Sequence, residues 1–206
     1  MDIQRIMEVV DASFDARRSI EKALREIDRR ALNAMVLVKR HGKALAGYGV
    51  VAQAFRERAA TLKESASHLQ ESIAPLIEAH MRILQHQRFV SAYGDMLEGN
   101  SLCEKACVSL KNMQKNWQIT ITQEEAEARK ILAHLLETVY LLQAGIEEQE
   151  YVVTNGRIEA ALAESTGAPL MRVSRDMGEA VHTVAQAIRT YRHQLESLEH
   201  ESSIGI

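Results

Sequence analysis

From Ile6 to Val38, apolar or small residues recur at alternating steps of three and four: Ile6, Val10, Ser13, Ile20, Leu24, Ile27, Ala31, Ala34 and Val38, with Arg17 in the one polar gap. That period lays a single stripe along a helix and matches a coiled-coil seam. Gly42 and Gly47 bracket an interruption, after which the spacing resumes at Val51, Phe55, Ala59, Leu62, Ala66, Leu69, Ile73, Leu76, His80 and Ile83. Two helices with so short a break fold back on each other. An antiparallel hairpin is therefore expected over about residues 1–95, with its bend near 41–47.

Pro75 falls inside the second of these helices, where its ring removes a backbone donor and crowds the preceding turn, so a kink or break is expected between Ser72 and Pro75. The stretch from Gly94 to Asn100 reads as a loop. Ser101 with Glu104, and Thr122 with Glu125, have the spacing of capping boxes. The β-branched cluster in "NWQITIT" weakens helix between them, which predicts a separate short helix over 101–121 and a long one from Thr122 to about Ala163. A last helix opens at Pro169, with a seam of Val173, Met177, Ala180, Val184, Ala187 and Tyr191. This second hairpin would cover about 101–203, with its bend near 163–169.

Setting Asn33 over Asn155 brings small, apolar and break positions of the two bends into register, so the chain reads as two related hairpins. One hairpin leaves the flanks of both helices wet, and a second closes the core. The expected fold is all-α: an antiparallel four-helix coiled-coil bundle made by one chain over residues 1–206, a monomer acting as a pseudo-dimer.

Composition narrows the function. The net charge of −3 supplies no basic field for nucleic acid or an anionic membrane. No run of about 18 apolar residues or leader-like h-region is present, so a soluble, cytoplasmic chain without membrane insertion is expected. Cys103 and Cys107 lie one helical turn apart with nearly parallel Cβ vectors, a poor geometry for a disulfide, and are expected to be reduced. No nucleophile–base pair, phosphate loop or paired carboxylates are recognisable, so neither an enzyme nor a cofactor is expected.

Residues 31–59 resemble the hairpin tip of bacterial methyl-accepting chemotaxis receptors. The resemblance runs through Ala31-Leu32-Asn33-Ala34, Arg40, Gly42, Ala44, Gly47-Tyr48, Val50-Val51-Ala52, Arg56 and Ala59. A fainter copy is similar through Asn155, Ile158-Glu159-Ala160-Ala161, Ala163, Gly167 and Val173. The first copy keeps the basic residue Arg40 and has Leu37 at the acidic position; the second keeps Glu159 and has Leu162 at the basic one. The resemblance implies a single-chain counterpart of a receptor-dimer tip. Its partners would be the chemotaxis histidine kinase, its coupling protein or the receptors. The implied contact face comprises Asn33, Arg40, Tyr48, Val51, Phe55, Arg56, Asn155 and Glu159.

Other chemistry is weaker. Ala66 to Ala74 matches a receptor methylation pattern with Gln70 and Glu71 as the acceptor pair, but it stands close to the tip and runs into Pro75. His41 has a lysine nearby, yet the spacing and the bend are wrong for a phosphotransfer histidine. His80, His86, Cys103 and Cys107 could meet if the helices flanking the Gly94–Asn100 loop run antiparallel, giving nitrogen and sulfur donors for zinc or a small ligand. A sensor of that kind, or a structural docking bundle unrelated to chemotaxis, is the alternative reading.

Overall fold

A computed structural model describes residues 3–98 and 104–204. Helix α1 spans Ile3–His41, and a single tight turn at Gly42–Leu45 leads into α2, Ala46–Glu98. Helix α3 spans Glu104–Leu162, and a second tight turn at Glu164–Thr166 leads into α4, Ala168–Ile204. The protein is all-α. Each helix packs on two neighbours, α1 and α3 both lying against α2 and α4, so that α1 faces α3 and α2 faces α4 across the bundle. Both bends sit at one end: Tyr48, just past the first, reaches Leu170 and Ser174, just past the second.

The core is the three-four seam. Ile20, Leu24, Ile27, Ala31 and Ala34 of α1 and Val51, Phe55, Leu62, Leu69, Ile73 and Leu76 of α2 are buried. So are Leu135, Val139, Leu142, Ile146 and Val153 of α3 and Leu170, Met177, Val184, Ile188, Tyr191, Leu195 and Leu198 of α4. The register that sets Asn33 on Asn155 also sets Tyr48 on Leu170, Phe55 on Met177, Leu62 on Val184 and Leu76 on Leu198, all interior. The backbone obeys it as well. Gly42 and Glu164 occupy matching positions, and they are the two residues described with positive φ, at 61° and 46°.

Several local expectations are corrected. Helix α2 runs unbroken through Pro75. Pro75 lies on the solvent face, so the carbonyl it leaves without a donor can meet water, while buried Ile73 and Leu76 on either side hold the helix to the core. Helix α2 also continues past Gly94 to Glu98, so the expected loop is helical as far as it is described, Gly99 and Asn100 lying outside the described residues. No short helix ends near 121, since α3 is continuous from Glu104. Buried Ile121 anchors that stretch, and the hydroxyls of Thr120 and Thr122 donate to the carbonyls of Asn116 and Gln118 along their own helix. Thr122 is thus an interior helical residue and caps nothing. Ser101 lies outside the described residues.

Burial stops before the long helices do. The last buried residue of α2 is Ile83 and the first described one of α3 is Ile121. Beyond them α2 and α3 continue as a two-helix arm that neither α1 nor α4 covers. Its base is latched by aromatic and charged groups: the His86 ring stacks on Trp117 at 4.5 Å, Phe89 lies 5.4 Å from the same indole, and Glu124 accepts from His86 Nδ1 at 2.7 Å.

Candidate partner-binding face at the bend end

The bend end is built by glycines and by one polar pair. At Gly42 the chain turns through a left-handed conformation that costs an L side chain roughly 1–2 kcal/mol. Gly167 serves differently: a Cβ there would stand 1.8 Å from the carbonyl oxygen of Ala160, so only glycine lets α4 start this close to the end of α3. Across the bundle, Tyr48 Oη lies 2.7 Å from Ser174 Oγ and 3.3 Å from the Leu170 carbonyl. Burial pushes the Tyr48 phenol above its usual range, and the Ser174 hydrogen bond partly opposes that. The carboxylate of Glu159 rests over Gly47 in the first turn of α2, where helix-end polarity favours a negative charge.

This geometry sorts the eight residues implied as a contact face. Asn33 and Arg40 are exposed on α1. Asn155 and Glu159 are half-buried on α3, Glu159 turned onto Gly47. Arg56 is half-buried and donates to Asp28 at 3.0 Å. Tyr48, Val51 and Phe55 do not belong to a face at all. They are interior, because the three-four spacing that places them on the seam turns them inward once the second hairpin covers α2. Neither asparagine is a buried register pin, since Asn33 is exposed and Asn155 half-exposed.

The apolar surface of this end comes from residues off the seam. Val36 and Ile158, equivalent in the internal register, are 51% and 52% exposed. Val50 is 73% exposed, and Leu32 stands one turn before Val36. The sequence carried a signal for them: Leu32 and Val50 stand one step, and Val36 two steps, from a seam that already accounts for the core. Together with Asn33 and Arg40 they make a mixed apolar and polar surface, the composition of a protein-docking face.

The candidate metal ligands do not converge. His80 is buried in the bundle, its Nδ1 donating to the Leu76 carbonyl at 2.8 Å. His86 is committed to Glu124 and Trp117 at the base of the arm. Cys107 is a half-buried free thiol, and Cys103 lies outside the described residues. Among the described residues no group of three or more His, Cys, Asp or Glu is placed to hold a metal ion. Of the methylation pair, Glu71 is exposed on α2. No described helix is long and apolar enough to cross a membrane.

Comparison with known protein families, with curated proteins and with solved structures finds no match to this chain.

Proposed function

We propose that this chain is a soluble, cytoplasmic, chemoreceptor-like signalling protein that acts through its bend end. One chain would supply the four-helix tip that receptors assemble from two. The observation that carries the reading is the meeting of both bends at one end of a core in which most seam positions of one hairpin match those of the other. The receptor-like residues around Asn33, Arg40 and Gly42 lie at that end. Its docking surface is Asn33, Val36, Arg40 and Val50 on the first hairpin, and Asn155 and Ile158 hold the equivalent positions on α3, the helix diagonal to α1. The partners are the chemotaxis histidine kinase, its coupling protein or receptor tips. No nucleophile, metal cluster or cofactor is needed.

The test is capture of the purified chain by immobilised kinase and coupling protein. Binding in the micromolar range, lost on Arg40→Glu and on Val50→Asp, is the expected result. Both substitutions fall on exposed side chains and leave the core intact. No capture at tens of micromolar would end the chemotaxis reading and leave a bundle with some other docking role.

A further inference from the structure

The groove between α3 and α4 beside the second bend holds a cavity of about 520 Å³ lined by Arg157, Ala168, Met171, Arg172 and Arg175. The spacing of the four α4 residues puts them on one face. Arg157 reaches over from α3, its Nη2 lying 3.1 Å from where a Cβ on Gly178 would stand, so the absence of a side chain at 178 makes room for the guanidinium. Three cations thus converge on one groove in a chain whose net charge is −3.

They are not neutralised locally. Among the described residues Arg157 and Arg172 form no ion pair. The carboxylate nearest Arg175 is Asp176 at 3.9 Å, and Arg30 already holds that group at 2.8 Å. The first turn of α4 carries no acidic residue. Nor is the charge inherited from the repeat, because the internal register places Met35, Val50 and Gln53 of the first hairpin opposite Arg157, Arg172 and Arg175. Apolar Met171 lies in the groove, 38% exposed.

We propose that this groove docks an acidic segment of a partner protein, one whose carboxylates recur about once per helical turn between apolar side chains. The carboxylates would pair with the three guanidiniums, for which planar two-point contact is favoured, while the apolar side chains cover Met171. The groove is open rather than enclosed, which suits a row of side chains better than a buried small molecule. Its occupant is independent of the kinase-binding surface on the first hairpin.

The experiment is fluorescence anisotropy of the full chain with a labelled helical peptide alternating Glu and Leu at three-four spacing. Saturable binding is expected. The triple variant Arg157→Gln/Arg172→Gln/Arg175→Gln should weaken it at least about tenfold, as should raising salt from about 50 to 300 mM. Arg40→Glu should leave it unchanged. A Gln-for-Glu peptide should not bind. Equal binding by the triple variant, or no binding by the wild-type chain at about 200 µM, would overturn the proposal. Pyrophosphate displacing the peptide at equal concentration would replace it with a small-oxyanion site. Self-association in sedimentation that the triple variant abolishes would replace it with a second copy of the chain. The arginines are exposed, so unchanged helicity and melting of the triple variant are expected and are measured alongside.

Discussion

Tyr48 and Ser174 meet 2.7 Å apart in the interior, joining two hairpins across the diagonal of the bundle. In the internal register Tyr48 stands where the other hairpin has Leu170, and Ser174 where it has Ala52, so the polar pair occurs once and identifies which hairpin is which. A buried phenol needs a partner, and Ser174 provides it. Tyr48→Phe is expected to cost about 1 kcal/mol and Ser174→Ala a similar amount. The double variant should cost less than the sum, with a coupling near 1 kcal/mol in a urea-unfolding cycle. Strict additivity would mean that the hydroxyls contribute separately.

Glu164 adopts at the second bend the left-handed backbone that Gly42 adopts at the first. Glu164→Gly is expected to stabilise the bundle by roughly 0.5–1 kcal/mol, the steric relief exceeding the added flexibility of the unfolded chain. Gly42→Ala should destabilise by about 1 kcal/mol through the backbone alone, since a Cβ there meets nothing within 4 Å. Denaturation midpoints moving the opposite way in either variant would contradict this account of the bends.

Gln149 is fully buried where the first hairpin has Ile27. Its Nε2 donates to the Phe55 carbonyl at a long 3.4 Å, and its Oε1 has no protein partner. A buried unpaired acceptor costs about 1–3 kcal/mol, more than one long hydrogen bond returns. Gln149→Leu should therefore raise stability by about 1 kcal/mol, read from the urea midpoint. A loss of stability would show that the amide is satisfied in solution.

Burial lowers the pKa of His80 below 6.5, and the hydrogen bond to the Leu76 carbonyl only partly offsets that. The folded value lies below the unfolded one, so the stability tied to neutral His80 is full above about pH 6.5 and is lost as pH falls through the folded value. The wild-type urea midpoint should drop between pH 7 and 5, and His80→Leu should flatten that drop. Tyr191 bounds the alkaline side. Burial pushes its phenol up to about 12, so its contribution is intact below pH 10 and fades as pH rises from 10 towards 12. Tyr191→Phe should remove that part of the alkaline loss, measured by the same titration.

The all-α bundle was legible because apolar residues at three-four spacing have one satisfactory burial, against other such stripes. Local breaks were harder to read. Pro75 and the Ile119–Thr122 cluster weaken helix by propensity, yet neighbours on the seam outweigh them: Ile73 and Leu76 leave Pro75 on the solvent side. At the bend end, the resemblance places Tyr48, Val51 and Phe55 outward, whereas Val51 and Phe55 lie on the seam that periodicity sends inward. Asn33 and Arg40, off that seam, are exposed. The Arg157, Arg172 and Arg175 groove is not legible in the sequence because it joins two helices across a bend, a juxtaposition that one-dimensional spacing does not display.

A repeat held on one polypeptide also has a genetic consequence. In an assembly of identical subunits each codon change is printed on every copy, so a useful novelty on one flank must be tolerated on its mirror image. Here the halves are encoded separately, and each can drift alone. Such a chain can keep an old recognition surface on one side while trying out a new one on the other.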